Sequence, residues 1–143
     1  AFICNHCPYV KAIASRLKKE ADELLSESIN TIAIMSNDII NYPEDSFENM
    51  KIFYQKYKFN FPYLFDETQE IAKKYNAVCT PDFFGFDKNL KLKYRGRLDS
   101  GVMNSDPNNK INRDLFNAMI DIKNLGMSLN EQINSVGCSI KWK

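Results

Sequence analysis

Two cysteines near the start of the chain, Cys4 and Cys7, limit the possible folds more than any other part of the sequence. They lie in residues 2–10, between a short apolar run that predicts a strand and a periodic pattern that predicts a helix. If both elements form, Cys4 lies at the helix N-terminus, where unpaired backbone N–H groups and the helix dipole favour an anion. The sequence therefore predicts a thiolate at this position.

The spacing of Cys4 and Cys7 suits a redox pair. One helical turn separates them, so both sulfurs face the same way and can close a small disulfide ring. The thiolate is the attacking form of cysteine, and a helix N-terminus or a neighbouring imidazolium lowers its pKa below the free value of about 8.5. His6, the only histidine in the chain, lies between the two cysteines. When protonated, it would stabilise a Cys4 thiolate.

Metal binding and simple burial are the other uses of a C-x-x-C pair. Cys79 and Cys138 are two further cysteines that could complete a zinc site. Structural zinc sites usually bring their ligands as two close pairs, whereas these two cysteines stand apart. The order strand, C-x-x-C, helix favours redox use, so we assign no metal ligands. Cys79 and Cys138 are each either an inert buried thiol or part of a second exchange pair that relays electrons to the first.

The length and charge of the chain favour a single soluble domain. Its 143 residues, 44% of them hydrophobic, are enough for one domain with a real core and too few for two. We predict that this domain covers residues 1–143, with a C-terminal tail at residues 128–143 packed on it. The 19 basic and 18 acidic residues nearly cancel, which gives no reason to expect a nucleic acid or an anionic membrane as partner. No apolar run is long enough to span a membrane.

The compartment and the true start of the chain stay open. No signal peptide is visible in the chain as given, and its four cysteines suit a catalytic pair in a reducing compartment. The cytoplasm is therefore favoured, although the same pair would also serve in an oxidising compartment. The chain opens on Ala1 without an initiator methionine. We expect residues upstream of Ala1 to be missing.

Periodic apolar residues predict alternating helices and strands. Helices are predicted at residues 8–25, 47–57, 68–75 and 112–125, with Asp45 and Glu48 capping the second, Asn112 capping the last and Gly126 ending it. Strands are predicted at residues 30–36 and 61–66, followed by a hairpin of 83–86 and 90–94. The first apolar run and residues 30–36 should pair in parallel, since a helix connects them. Residues 99–112 are predicted to form a loop.

The order of these elements resembles the thioredoxin fold over essentially the whole chain. More closely, the chain is similar to the peroxiredoxin-like proteins of the AhpC/TSA group that carry a C-x-x-C motif. The segments that carry this similarity are CNHCPYVKAI, YPEDS, CTPDFF, YRGRLD and GCSIKW. The resemblance implies an α/β fold, a thioredoxin-like three-layer sandwich with a central mixed sheet of about four strands and helices on both faces.

The resemblance also implies roles for individual residues. In thioredoxin-like proteins the first cysteine of the motif attacks and the second resolves, which places these roles on Cys4 and Cys7. The loop proline beside the motif is cis in that fold, so the bond from Thr80 to Pro81 would be cis and the Thr80 backbone would be a docking edge for substrate. A histidine directly before the second cysteine, here His6, is similar to oxidising members of the DsbA type.

The leading hypothesis is a thiol–disulfide oxidoreductase, in which Cys4 attacks a substrate disulfide and Cys7 resolves the mixed disulfide. The expected partners are a disulfide-bearing protein or a small thiol substrate and a thiol reductant, and no cofactor is expected. An antioxidant thiol peroxidase with Cys4 as the peroxide-attacking residue is one alternative. Peroxiredoxins have Thr or Ser three residues before that cysteine, where this chain has Ala1. A metal-binding module that uses Cys4, Cys7 and either His6 or Cys79 is the other alternative.

Overall fold

The computed structural model describes residues 1–101, 103 and 110–143. The α-helices in this part of the chain are α1 (Pro8–Ser26), α2 (Phe47–Tyr57), α3 (Glu70–Tyr75) and α4 (Asp114–Leu125). The strands are β1 (Ala33–Met35), β2 (Tyr63–Phe65), β3 (Cys79–Thr80), β4 (Phe83–Phe86), β5 (Leu92–Gly96) and β6 (Cys138–Ser139). Much of the predicted loop at 99–112 lies outside the described residues, since these exclude 102 and 104–109.

The strands of the described residues pair as three two-stranded ladders. β1 and β2 are parallel, whereas β3 and β6, and likewise β4 and β5, are antiparallel. Phe2 forms a parallel bridge with Ile34 and an antiparallel bridge with Asp82. The predicted central sheet of about four strands is therefore not confirmed as one continuous ladder. Its expected middle strand is reduced to these bridges at Phe2, because the chain turns into the cysteine loop two residues later.

Helix α1 forms where the apolar pattern predicts it. Pro8 begins the helix, because its fixed φ suits the first turn and its missing N–H is not needed there. One face of α1 enters the largest apolar cluster, which it shares with side chains of β1, α2, α4 and the hairpin. The predicted parallel pairing across this helix is confirmed by the bridge between Phe2 and Ile34. Helix α1 thus connects the core to the cysteine loop at its N-terminus.

The N-terminus of α2 differs from the prediction. The pattern predicts Asp45 as the N-cap with Glu48 as its partner, but Ser46 is the N-cap and accepts a hydrogen bond from the Asn49 N–H. Asp45 ends a short 3-10 helix, Pro43–Asp45, and is fully buried. Because Ser46 caps the helix, the Asp45 carboxylate is available for contacts elsewhere in the molecule.

The C-terminal half contains the predicted hairpin and the predicted last helix. β4 and β5 pair in antiparallel with an irregularity between Gly85 and Phe86. Arg113, rather than the predicted Asn112, is the N-cap of α4. The helix ends as predicted at Gly126, whose φ of 80° is favourable for glycine. Among the described helices, none combines the length and the apolar character that a membrane-spanning segment needs.

Candidate active site

The two cysteines of the motif lie in the loop between the Phe2 bridges and α1. Cys7 is the N-cap of α1, with an extended backbone conformation (φ −63°, ψ 124°). The sequence predicts Cys4 at the helix N-terminus, and this is wrong, because Pro8 occupies the first turn and the residue before it becomes the cap. Cys4 and Cys7 are only 1% and 0% exposed, so both sulfurs are shielded from solvent.

The Cys7 sulfur lies among thiols, backbone N–H groups and a carbonyl oxygen. The pKa of Cys7 is lowered to about 4, and the hydrogen bond from the Cys4 thiol is the largest cause. Cys138 and the backbone N–H of Val10 also lower it, while burial opposes the shift. The Cys138 sulfur lies 3.0 Å from the Cys7 sulfur. The Thr80 carbonyl oxygen, 3.2 Å away, accepts a hydrogen bond only from protonated Cys7. The donors prevail, and the site favours a Cys7 thiolate.

Cys4 is held as a neutral thiol. Its pKa is raised well above the ordinary value, first because it donates a hydrogen bond to Cys7, and then because it is buried and faces the charge of Asp45. The Thr80 hydroxyl, 3.3 Å from the Cys4 sulfur, opposes this shift. These surroundings favour the neutral form of Cys4, and the predicted Cys4 thiolate stays a prediction.

His6 is paired with a carboxylate. Its Nδ1 atom lies 2.6 Å from Oδ2 of Asp45, and its ring stacks on Tyr42 with ring centroids 5.8 Å apart. Within the described residues, the hydrogen bonds of His6 go to Asp45 rather than to a cysteine sulfur. The predicted role of His6 in cysteine chemistry stays a prediction.

Asp45 is the site residue that sequence reasoning missed. Its buried carboxylate accepts hydrogen bonds from the backbone N–H groups of Asn5 and His6 at 2.7 and 3.2 Å. It also accepts one from Nδ2 of Asn37 at 2.8 Å. Asp45 thus ties the cysteine loop to the segment before α2. The sequence signal that contains it is YPEDS, one of the segments that carry the family resemblance.

The backbone of Thr80 lies directly beside the cysteine loop. The Thr80-Pro81 peptide bond is cis. Thr80 pairs with Cys138 in the β3–β6 ladder, so the chain's own C-terminal segment occupies the edge where a substrate was expected to dock. Gly137 permits this contact, because a Cβ atom there would lie 2.0 Å from the Thr80 carbonyl oxygen.

Cys79 and Cys138 belong to the same ladder but face different groups. Cys138 faces Cys7, and its pKa is raised to about 11, first by burial and then by its interactions with Cys7. Cys79 lies with its sulfur 3.7 Å from the Pro81 carbonyl oxygen, and burial raises its pKa to about 11. Of these two cysteines, the structure brings Cys138 into contact with the motif.

A cavity of about 210 Å³ lies next to the loop, against Pro81. Its lining includes the side chains of Tyr9, Ile13, Leu98 and Val136. Tyr9 belongs to the first turn of α1, two residues after the N-cap. An apolar group of a substrate could therefore lie here, beside the first turn of α1 and Pro81.

Cys4, His6 and Asp45 form a cluster that could bind a metal ion. Their sulfur, ring nitrogen and carboxylate oxygen atoms all lie within 4.8 Å of one another. Thiolate, imidazole and carboxylate are all ligands of zinc in proteins. The cluster shares Cys4 and His6 with the set predicted from sequence but replaces Cys7 or Cys79 with Asp45.

Comparison with known proteins places this site in a redox family. The model of the AhpC/TSA family matches residues 1–95. The chain belongs to the AhpC/TSA family. Members of this family are generally redox enzymes with a thioredoxin-like α/β fold. The family therefore indicates thiol-dependent peroxidase or oxidoreductase activity, without specifying the reaction.

Two solved structures are similar to this AhpC/TSA family member over almost its whole length. An uncharacterized conserved protein from Geobacillus kaustophilus is 47% identical, with a TM-score of 0.85, and the match covers 99% of this chain and 75% of that protein. A hypothetical protein from Sinorhizobium meliloti 1021 is 36% identical, with a TM-score of 0.89, and the match covers 100% of this chain and 78% of that protein. A search of curated proteins gave no significant match.

Proposed function

We propose that the chain is a thiol–disulfide oxidoreductase in which Cys4 and Cys7 form the redox pair. One observation carries the proposal: Cys7 caps α1, and its pKa is lowered, first of all by the Cys4 side chain. Thiol–disulfide exchange requires a thiolate that attacks and a second thiol that releases the product. The loop supplies both groups in contact with each other.

The proposed exchange begins at Cys7. Its thiolate attacks one sulfur of a substrate disulfide, forms a mixed disulfide and releases the other substrate sulfur as a thiolate. Cys4 then gives up its proton and attacks the Cys7 sulfur, which closes the Cys4–Cys7 disulfide and releases the second substrate sulfur. The substrate gains two electrons and the cysteine pair loses two. These roles reverse the sequence prediction, because the helix N-terminus lies at Cys7.

The mixed disulfide itself prepares Cys4 for the second step. In the reduced protein, the hydrogen bond to Cys7 is the largest cause of the raised pKa of Cys4. Once Cys7 is bonded to a substrate sulfur, it no longer carries a charge, and this cause disappears. Side-chain atoms of His6 and Asp45 lie within 4.8 Å of the Cys4 sulfur, so one water molecule could bridge this sulfur to a proton acceptor.

The substrate is a disulfide-bearing protein or a small thiol compound, with a thiol reductant closing the cycle. We place its contacts at Thr80, at Pro81 and in the cavity beside Pro81. Because both motif sulfurs are shielded, the substrate has to displace the β6 segment or react through it.

The place of the chain within its family, and the arrangement of its sheet, are part of the proposal. We infer that the chain belongs with the family members that carry a C-x-x-C motif, and that its ladders are parts of one mixed sheet in a three-layer sandwich. The bridges of Phe2 to both Ile34 and Asp82 support this sheet, because they connect the β1–β2 ladder to the segment before β4.

Trapping of the mixed disulfide tests the proposed function. In a Cys4→Ser/Cys138→Ser variant, Cys7 lacks both neighbouring thiols, while the two serine hydroxyls can still donate hydrogen bonds to its sulfur. Incubation with insulin, a disulfide-bearing protein, should give a covalent adduct at Cys7. Mass spectrometry locates this adduct, and dithiothreitol should release it. A Cys7→Ser/Cys138→Ser variant is the matched control and should give none. Failure of the wild-type protein to reduce insulin, together with absence of the adduct, would refute the proposal.

Peroxide reduction is a second candidate, favoured by membership in a family with thiol-dependent peroxidases. The buried, neutral state of Cys4 argues against its role as the peroxide-attacking residue. Reduced protein mixed with hydrogen peroxide decides between the two. Oxidation no faster than that of free cysteine removes this candidate.

Metal binding is a third candidate, favoured by the cluster of Cys4, His6 and Asp45. Zinc titration of the reduced protein should then show stoichiometric binding that His6→Asn removes and Cys79→Ser leaves unchanged. Absence of binding to the wild-type protein rejects it.

A further inference from the structure

Cys138 is positioned against the motif by backbone contacts as well as by its side chain. Its Sγ atom lies 3.0 Å from that of Cys7, closer than an ordinary contact between two sulfur atoms. Its backbone pairs with Thr80, and the glycine before it allows the two segments to approach closely. The two cysteines are 131 residues apart in the sequence, so their contact depends on the fold as a whole.

Exposure differs among the three neighbouring cysteines. Cys4 and Cys7 are buried, whereas Cys138 is partly exposed. Of these three residues, Cys138 is therefore the one with appreciable exposure to solvent. An external thiol or disulfide can approach Cys138 without first entering the core.

We propose that Cys138 is a third redox cysteine, which exchanges with Cys7 and carries the disulfide between the buried pair and external thiols. This inference rests on the proposed function, since it assumes that Cys4 and Cys7 form a disulfide. It adds a residue outside the motif to the exchange pathway.

Each step of the proposed transfer conserves electrons. The Cys138 thiolate attacks Cys7 in the Cys4–Cys7 disulfide, which forms a Cys7–Cys138 disulfide and releases Cys4 as a thiolate that takes up a proton. An external thiolate attacks the Cys138 sulfur, forms a mixed disulfide and releases the Cys7 thiolate. A second external thiolate attacks the external sulfur of that mixed disulfide and frees Cys138. In total, two external thiols become one disulfide and the buried pair becomes a dithiol.

Electrostatics favours the attack of Cys138 on Cys7 when Cys4 and Cys7 form a disulfide. Burial is the largest cause of the raised pKa of Cys138, and the next two causes are its hydrogen bond to Cys7 and the charge of Cys7. Both of these causes vanish when Cys7 is in a disulfide, while Lys141 continues to stabilise a Cys138 thiolate. The Cys138 thiolate is thus favoured when Cys7 is in the disulfide that Cys138 has to attack.

Disulfide mapping tests the contact directly. In a Cys4→Ser/Cys79→Ser variant, oxidation with stoichiometric diamide, a two-electron thiol oxidant, should give an intramolecular Cys7–Cys138 disulfide, identified by mass spectrometry of the non-reduced digest. In Cys4→Ser/Cys138→Ser, which keeps Cys79, no intramolecular disulfide should form. Thiols that stay free in the first variant, or a disulfide between Cys7 and Cys79 in the second, would overturn the inference.

Exchange rates separate this inference from the proposed function. Oxidised wild-type protein is mixed with reduced glutathione, and Cys138→Ser should be reduced about tenfold more slowly or worse, because the external thiol must then reach a shielded disulfide. The Cys79→Ser variant is the control, because Cys79 lies in the same ladder and has a similarly raised pKa. Its rate of reduction should match that of the wild type. If Cys138→Ser reacts as fast as the wild type, the inference fails and the proposed function stands. If the wild-type protein forms no Cys4–Cys7 disulfide, the proposed function fails and the inference fails with it.

Discussion

The two ends of the cysteine loop lie in opposite electrostatic surroundings. At one end, the interaction with Cys7, burial and the charge of Asp45 raise the pKa of Cys4 and favour its neutral form. At the other end, Cys7 caps α1 and receives hydrogen bonds from thiols and from backbone N–H groups, so it is held as a thiolate. The two residues are chemically identical and three positions apart. The difference shows that the groups in contact with each sulfur, rather than its place in the motif, decide which thiolate is favoured.

The largest expected effect comes from replacing each cysteine of the motif in turn. Cys7→Ser should reduce disulfide exchange to the rate of the uncatalysed reaction, because the attacking thiolate is lost. Cys4→Ser should retain the first step, the formation of an adduct, while it loses turnover through the Cys4–Cys7 disulfide. Single-turnover and steady-state insulin reduction separate these effects. Adduct formation that survives in Cys7→Ser and not in Cys4→Ser would contradict the comparison.

Asp45→Asn tests the Cys4 end of the loop. The buried carboxylate accepts from Asn5, His6 and Asn37, so the free energy of unfolding should fall by about 3 kcal/mol. The pKa of Cys4 should fall as well, since the charge that faces it is removed. Urea denaturation and the pH profile of Cys4 alkylation measure the two effects.

Asp66→Asn is the matched control for this variant. Asp66 is also buried and accepts hydrogen bonds from Ser36 and from the backbone of α3, away from the cysteines. It should lower stability to a similar extent without changing the reactivity of Cys4. Equal changes in Cys4 alkylation in both variants would show that Asp45 has no specific effect on this sulfur.

Gly137→Ala tests the Cys7 end. The added Cβ would meet the Thr80 carbonyl oxygen at 2.0 Å, so the β6 segment has to move away and stability should fall by about 2 kcal/mol. The yield of the Cys7–Cys138 disulfide after diamide oxidation should fall with it. A yield equal to that of the wild type would show that the contact does not depend on this backbone approach.

Tyr63→Phe should have the smallest effect. The Tyr63 hydroxyl donates a hydrogen bond to Asn5 in the loop, at 2.9 Å. Its loss should cost about 1 kcal/mol of stability and leave the Cys7 thiolate in place. Thermal unfolding measures the cost, and loss of the thiolate in this variant would mean that the hydrogen bond from Tyr63 to Asn5 helps to stabilise it.

The elements of the fold that depend on local pattern were predictable from the sequence. Residues 8–25 were predicted as helix and Pro8–Ser26 is helical, because a stripe of apolar side chains determines both. The hairpin of β4 and β5 follows in the same way from alternation. The short strand at Phe2 was less predictable, since its length depends on where the chain turns into the loop.

The candidate site depended on contacts that no local pattern reveals. Asp45 fitted the local rule for a helix cap, but its carboxylate reaches Asn5, 40 residues away in the sequence. Cys138 lies in a tail with weak periodicity, and only the pairing with β3 brings it to Cys7. The motif itself is visible in the sequence, whereas the pKa values of its two sulfurs depend on Asp45, Thr80 and Cys138, which the fold brings from elsewhere in the chain.

The ultraviolet absorbance of the thiolate, recorded as a function of pH for the reduced protein, tests the central claim most directly because it requires no reagent to reach a buried sulfur. Cys7 has a pKa of about 4 against an ordinary value of 9.0, so a thiolate signal should persist at neutral pH and disappear only as the pH falls toward 4. The signal should remain in Cys4→Ser, where the serine hydroxyl can still donate a hydrogen bond to Cys7, and be absent at neutral pH in Cys7→Ser. A signal that is lost in Cys4→Ser and retained in Cys7→Ser would contradict the account.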